Sequence, residues 1–185
     1  MGSLSKIQKQ LILGCVLGDG YMRKKTNAHL QITHSIKQKE YVDWKYQILK
    51  NLVKGTPKVY KGNAGRVGYR FFTKNLPQIT YFYNRFYQNG KKIVPKDIKI
   101  SPLTLAVWYM DDGSKSRHAG YINCQQFDSV SQKNMLNALN NLNLKVSFNK
   151  DKIYTRIYIS SLSMPLLVHL IKPFIVPSMR YKLSI

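Results

Sequence analysis

Only eight of the 185 residues are acidic, seven Asp and one Glu, against thirty Lys and Arg. Asp111 and Asp112 nonetheless stand together near the end of an apolar run, LAVWYMDDGSK (105–115). Asp19 ends a second run of the same shape, LILGCVLGDGYM (11–22). If each run is a helix, its acid lies at the end where the helix dipole disfavours an anion. Two such ends placed together also repel each other. A divalent cation between them relieves both strains, and Mg2+ takes carboxylate and carbonyl oxygens plus water. Metal held between carboxylates and a phosphodiester is an arrangement for hydrolysis. A single Asp-Gly after an apolar run is commonly a turn signal. Here the pattern occurs twice, with Asp19 and Asp112 93 positions apart, and the repetition carries the chemistry.

The rest of the composition says what the acids sit beside. A formal net charge of +22 opposes compaction unless a polyanion neutralises it. Nucleic acid fits first, because neutralised phosphates release counterions. A membrane surface fits less well, for no basic amphipathic helix shows a clean apolar face. No apolar run approaches the roughly 18 residues that span a bilayer. Lys6 and Lys9 precede a short apolar run, but it ends in Asp-Gly without a small-residue cleavage site, so it reads as a helix rather than a signal peptide. Cys15 and Cys124 have apolar neighbours and no metal-ligand spacing, so they read as reduced core thiols. The four histidines also lack such spacing and read as surface or nucleic-acid contacts. Heavy use of Lys, Asn, Ile and Tyr suits AT-rich coding DNA of an organelle or phage.

The chain repeats itself. SIKQKEY (35–41) matches SVSQKNM (129–135), Gln31 and Gln125 fall at the same offset of 94, and YRFFTKNL (69–76) resembles TRIYISSL (155–162). Each half reads αββαββα. Apolar helices span about 5–19 and 102–112. Hairpins follow at 20–34, turning at Lys24–Asn27, and at 113–127, turning near His118–Gly120. Amphipathic helices come next, with Tyr41, Trp44, Ile48 and Leu52 as one apolar stripe and Met135, Leu136, Leu139 and Leu142 as the other. Ser129 is the expected N-cap of the second. Hairpins 57–61/67–74, turning around Gly62–Gly65, and 145–150/153–160 follow, and helices near 77–89 and 163–171 close each half. The expected domains are 1–92 and 102–185, joined by a linker at 93–101 that carries Pro95, with Pro102 starting the next helix. Gly14 and Gly18, one turn apart, let another backbone approach closely.

GCVLGDG (14–20) and LAVWYMDDG (105–113) resemble two copies of the signature of the LAGLIDADG homing endonucleases, in particular the monomeric, intron-encoded organellar type. Leu17 and Met110 replace the first Asp of that signature. The resemblance spans nearly the whole chain. It implies an α+β fold of two units related by a pseudo-twofold axis, with the motif helices as the central interface and an antiparallel β-saddle over DNA. It implies a metal-dependent endonuclease that cuts both strands of a long asymmetric target. Asp19 and Asp112 would hold Mg2+, with Mn2+ able to substitute, and Gly18 and Asp111 would belong to the metal site too, Asp111 as an auxiliary or structural residue. KKIVP (91–95) and MRYKL (179–183) resemble segments near the family's active site and place Lys92 and Lys182 there. The partner would be double-stranded DNA, the protein a monomer without membrane association, and the location organellar. The rival reading is an intron RNA-binding maturase of the same fold, for which aromatic stacking surfaces would speak.

Strand alternation supplies a DNA face. If Leu30, Ile32, Ile122 and Cys124 face the core, then His29, Gln31, Thr33, Tyr121, Asn123 and Gln125 face outward, where amides can read adenine edges. Arg66, Tyr69 and Arg70, and Lys150, Lys152, Tyr154 and Arg156, suit bases or phosphates.

Overall fold

The computed structural model describes residues 3–62 and 65–183. Helix α1, Lys6–Leu17, begins with a capping box: Ser5 Oγ accepts from Gln8 N–H, and the Gln8 side chain accepts from Ser5 N–H. Helix α4, Pro102–Asp112, starts with Ser101 as N-cap and Pro102 in its first turn. Both helices are apolar around most of their circumference, as central helices must be. They pack on each other at very short range. A Cβ on Gly14 would come within 2.6 Å of Val107 Cβ and 2.8 Å of the Thr104 carbonyl oxygen. A Cβ on Gly18 would come within 2.4 Å of Asp111 Oδ2. No residue larger than glycine fits either place without moving the helices.

Two four-stranded antiparallel sheets flank this pair. The first contains β1 (Tyr21–Lys24), β2 (Ala28–Ser35), β3 (Lys58–Lys61) and β4 (Val67–Phe72), in the order β1-β2-β4-β3. The expected turn between β3 and β4 includes Asn63 and Ala64, which lie outside the described residues. After a two-stranded hairpin, β5 (Tyr87–Gln88) with β6 (Lys91–Lys92), the second sheet contains β7 (Gly113–Ser116), β8 (Ala119–Asn123), β9 (Val146–Asp151) and β10 (Tyr154–Ile159), in the order β7-β8-β10-β9. Helices α2 (Lys39–Leu49) and α3 (Pro77–Phe86) complete the first unit, and α5 (Ser129–Asn140) and α6 (Met164–Ile171) the second. The identical strand order makes this a duplicated αββαββα, α+β architecture.

Several details differ from the sequence reading. Asp128 rather than Ser129 caps α5, since its carboxylate accepts from Ser131 N–H. The last helix of the first unit stops at Phe86, because Asn89 and Gly90 both adopt positive φ and close the β5–β6 hairpin. In α2 the buried stripe is Tyr41, Val42, Lys45 and Leu49, with Trp44, Ile48 and Leu52 only partly covered. The connector docks on the second unit, where Ser131 Oγ accepts from Val94 N–H and Asn134 donates to the Val94 carbonyl. Cys15 and Cys124 are buried free thiols. No helix among the described residues is long and apolar enough to cross a membrane.

Candidate active site

Because α1 and α4 run together, their C-terminal ends open onto one cleft. Gly18, Asp19, Lys92, Asp112 and Gln126 line it. Asp112 is the last residue of α4, whereas Asp19 lies one residue beyond the Gly18 cap of α1. Asp112 is partly covered, and its carboxylate accepts from Gln126 Nε2 at 3.3 Å. Burial, then the negative charge of Asp19 and Asp111, push the Asp112 carboxyl up to about 7. Asp19 is raised for the same reasons, burial first and the charge of Asp111 second. These two carboxyls are therefore short of positive charge, in a chain that has an excess of it.

Two lysines border the cleft in matching ways. Lys92, on β6, donates to the Gly18 carbonyl at 2.7 Å, and Lys182, in the turn 177–182, donates to the Asp111 carbonyl at 2.8 Å. Gly18 and Asp111 immediately precede Asp19 and Asp112, so each lysine ties down the residue before one carboxylate. Each ammonium group keeps two further N–H donors. Burial lowers both lysines below their ordinary range, against the pull of the neighbouring acids.

Asp111 plays a different part from its neighbour. Its carboxylate is buried between α4 and α2 and accepts three hydrogen bonds. Oδ1 accepts from Tyr41 Oη at 2.8 Å and from Lys45 Nζ at 2.9 Å, and Oδ2 accepts from Asp19 N–H at 3.0 Å. Burial alone would raise this carboxyl, but Lys45, His34 and Tyr41 outweigh it and hold it low. Conversely, burial would lower Lys45, and Asp111 outweighs that and raises it, so a charged pair persists in the interior. Asp19, His34 and Asp111 bring one donor atom each within 4.8 Å of one another, a spacing that could suit a metal ion. Lys45 Nζ, however, lies 2.9 Å from Asp111 Oδ1 and 3.0 Å from His34 Nε2, so an internal ammonium already serves as the cation there. The fit for a metal is better at the open carboxylates of Asp19 and Asp112.

His34 is a correction to the sequence reading: it lies on the core face of β2, 8% exposed, and not on the surface. Burial, with Lys45 beside it, lowers its imidazole to about 4. Sequence reasoning missed Lys45, Tyr41 and His34 as site residues. A signal existed for one of them, since Lys45 stands four residues from both Tyr41 and Leu49, on the buried side of α2.

Of the expected DNA face, β2 presents His29, Gln31 and Thr33, all partly exposed, and β8 presents Tyr121 and Asn123. Register puts Gln31 beside Tyr21 and Phe72, Thr33 beside Arg70, and Asn123 beside Arg156. Arg70 stacks over Tyr60 at 4.3 Å, and Arg156 over Tyr121 at 4.6 Å while it pairs with Asp151. Arg66 lines a groove with Asp19, Thr33 and Tyr60. Tyr154 is exposed and pairs with Asp151 across the β9–β10 hairpin. One expectation fails, that of Tyr69; Lys150, Lys152 and Gln125 are exposed, though outside the strand face that carries Arg156. Tyr69 pairs with His34 on the core side, 8% exposed, because it neighbours Arg70 and must point the other way. Lys150 pairs with Thr155, opposite in parity to Arg156, and Lys152 sits in the turn with φ 56°. Gln125 lies beyond β8, past the end of the strand at Asn123.

A family model described as the LAGLIDADG DNA endonuclease family matches residues 9–167. A probable intron-encoded endonuclease of Wickerhamomyces canadensis is 31% identical, over 98% of this chain and 85% of its own. A cytochrome b mRNA maturase bI2 of Debaryomyces hansenii is also 31% identical, over 98% of this chain and 75% of its own. The solved structure of the homing endonuclease I-WcaI bound to its DNA recognition sequence superposes with a TM-score of 0.91 at 29% identity, covering 99% of this chain and 88% of that one. A doubled motif helix pair ending in Asp19 and Asp112, set between two like sheets, is thus accompanied by sequence similarity along almost the full length, and the chain belongs to the LAGLIDADG DNA endonuclease family, as a homing endonuclease.

Proposed function

We propose that the protein cuts both strands of an asymmetric duplex target by hydrolysis at the cleft between α1 and α4, with Asp19 and Asp112 holding divalent metal, Mg2+ in the cell and Mn2+ as a substitute. The observation that carries this reading is the convergence of two carboxyls of raised proton affinity on one cleft bordered by two lysines. A divalent cation bound there supplies charge to the scissile phosphate and acidity to a water. The chain's own residues do the rest. Lys92 and Lys182, each anchored by one N–H to a carbonyl, keep two donors apiece beside the acids, which would stabilise charge developing on the phosphate. Gln126 orients the Asp112 carboxylate. The carbonyls of Gly18 and Asp111 each keep a lone pair beyond the lysine hydrogen bond and would help to hold the ion's surroundings. Asp111 itself serves the structure first, because its buried carboxylate is already neutralised by Lys45 and bound by Tyr41 and the Asp19 N–H.

The β2 and β8 faces then lie on duplex DNA. Gln31 and Asn123 suit base edges, and the Arg70 and Arg156 guanidinium groups suit bases or phosphates. The units 1–92 and 102–185 serve one half of the target each, the protein acts as a monomer, and its location is organellar, in keeping with the intron-encoded and cytochrome b relatives. The test is cleavage of a duplex spanning the intron-insertion junction, with and without Mg2+. Site-specific cleavage that needs the metal supports the reading, and binding without cleavage at saturating metal refutes it. A maturase reading is favoured by one observation, the similarity to a cytochrome b mRNA maturase. Splicing of the host intron RNA by an Asp19→Asn variant would support that second activity.

A further inference from the structure

The buried polar network beneath the cleft is one-sided. At the offset of 94 that relates the two units, Tyr41 and Lys45 of α2 correspond to Met135 and Leu139 of α5. At the offset of 93 that relates the motif helices, Asp111, which they bind, corresponds to Gly18. One unit therefore offers a hydroxyl and an ammonium to a carboxylate, where the matching positions of the other hold two apolar side chains and a glycine. The network ends on Asp19. Asp111 Oδ2 accepts the Asp19 backbone N–H at 3.0 Å, and His34 Nδ1 lies 3.7 Å from Asp19 Oδ2. An ammonium group has only donors, so the 3.0 Å contact from Lys45 Nζ makes His34 Nε2 the acceptor. The neutral imidazole must then carry its proton on Nδ1, the atom that faces Asp19. Asp112 has no such support; among the described residues, its carboxylate takes one hydrogen bond, from Gln126.

We propose that Lys45, Tyr41, Asp111 and His34 form a positioning device for Asp19 alone, which fixes its backbone and its carboxylate before DNA arrives and makes the two strand-cutting centres unequal. Partners that orient a metal-holding side chain affect affinity or activity about 10–100-fold. The inference rests on the assignment of Asp19 as a metal-holding carboxylate.

The experiment uses the full chain and a duplex labelled separately on each strand. Single-turnover rates are measured for both strands at saturating protein, together with the imidazole 15N shifts of His34 in the metal-free protein. His34→Leu is expected to slow one strand about 10–100-fold and spare the other. His34→Asn, whose amide nitrogen sits near the place of Nδ1, is expected to restore most of the loss. The 15N shifts are expected to show a protonated Nδ1 and a bare Nε2, and Lys45→Met with Asp111→Asn is expected to abolish that preference. General loosening of the fold would slow both strands alike and would not be rescued by Asn. Equal slowing, no slowing, or a proton on Nε2 would overturn the proposal. If His34→Leu fails to fold, Tyr41→Phe removes one donor to Asp111 and must slow the same single strand by a smaller factor; strand-neutral slowing again overturns it. Asp19→Asn separates the two levels. If that variant cuts both strands normally, the assignment of the site has failed. If it is inactive while His34→Leu treats the strands alike, only the positioning device has failed.

Discussion

The two ends of the central helix pair answer the same need by opposite means. At the Asp112 end, α4 runs two residues further, α5 carries Met135 and Leu139 at the matching positions, and the carboxylate takes a single hydrogen bond from Gln126. At the Asp19 end, the helix stops early at Gly18, and α2 sends Tyr41 and Lys45 across the interface to hold Asp111, which in turn holds the Asp19 backbone. A duplication begins symmetric. The difference teaches that one copy can exchange burial for a paired charge, provided that every member of the exchange changes together. Replacing a buried ion pair by apolar groups is often neutral, whereas breaking it leaves an uncompensated charge.

The comparison breaks most sharply where it concerns the carboxylates that the two ends share. Asp19→Asn and Asp112→Asn should each reduce cleavage by more than about 10,000-fold, roughly 5.5 kcal/mol of barrier, with DNA affinity retained. Single-turnover cleavage and a filter-binding isotherm would check both halves of that statement. Lys45→Met should then show how unequal the ends are. It leaves Asp111 charged and unpaired and should cost about 3–5 kcal/mol of stability in denaturant unfolding, while Lys45→Met with Asp111→Gly, which copies the other end, should recover most of it. Lys92→Met and Lys182→Met test what remains alike. Each should slow cleavage about 10–100-fold, about 1.4–2.7 kcal/mol, with nicked circles accumulating before linear DNA on a plasmid substrate. Wild-type rates at saturation in both variants would remove the lysines from the site.

Proton linkage sharpens the same contrast. In the metal-free protein the Asp112 carboxyl is raised to about 7, so below that pH a cation must displace its proton. Mg2+ affinity should therefore fall about tenfold per pH unit as pH drops below 7, and level off above about 8. Calorimetry in buffers of different ionisation heat would detect the released proton. The smallest effect belongs to base reading. Gln31→Ala should cost about 1 kcal/mol on the preferred target and relax preference locally, without changing the salt dependence of binding.

Much of this was legible before any coordinates. The limits of α4 followed from Pro102 and the apolar run that ends in Asp-Gly, and the duplication followed from matched blocks. The face of β2 followed from strict alternation in AHLQIT. Other features were legible and overlooked. Tyr69 and Arg70 are adjacent in a strand, so period two already forbade both on one face, and the two-residue turn at Lys152–Ile153 reverses the parity that links Lys150 to Arg156. Asn89-Gly90 is a strong hairpin signal, and the β5–β6 hairpin it closes is what brings Lys92 to the cleft. Helical spacing marked Lys45 as buried, but its charge partner was a different matter. Its partner Asp111 is 66 residues away, and no local pattern reports that a charge will be neutralised by another element.

The contact between Gly14 and Val107 has a consequence beyond packing. The two carboxylates ride on helices whose separation that glycine sets. On the proposed function each carboxylate would attend a different DNA strand, and the width of the helix interface would then gauge the distance between the two cuts, and so the length of single strand left overhanging. A side chain at position 14 would, on that reading, alter the geometry of the break itself while leaving the base-reading strands unchanged.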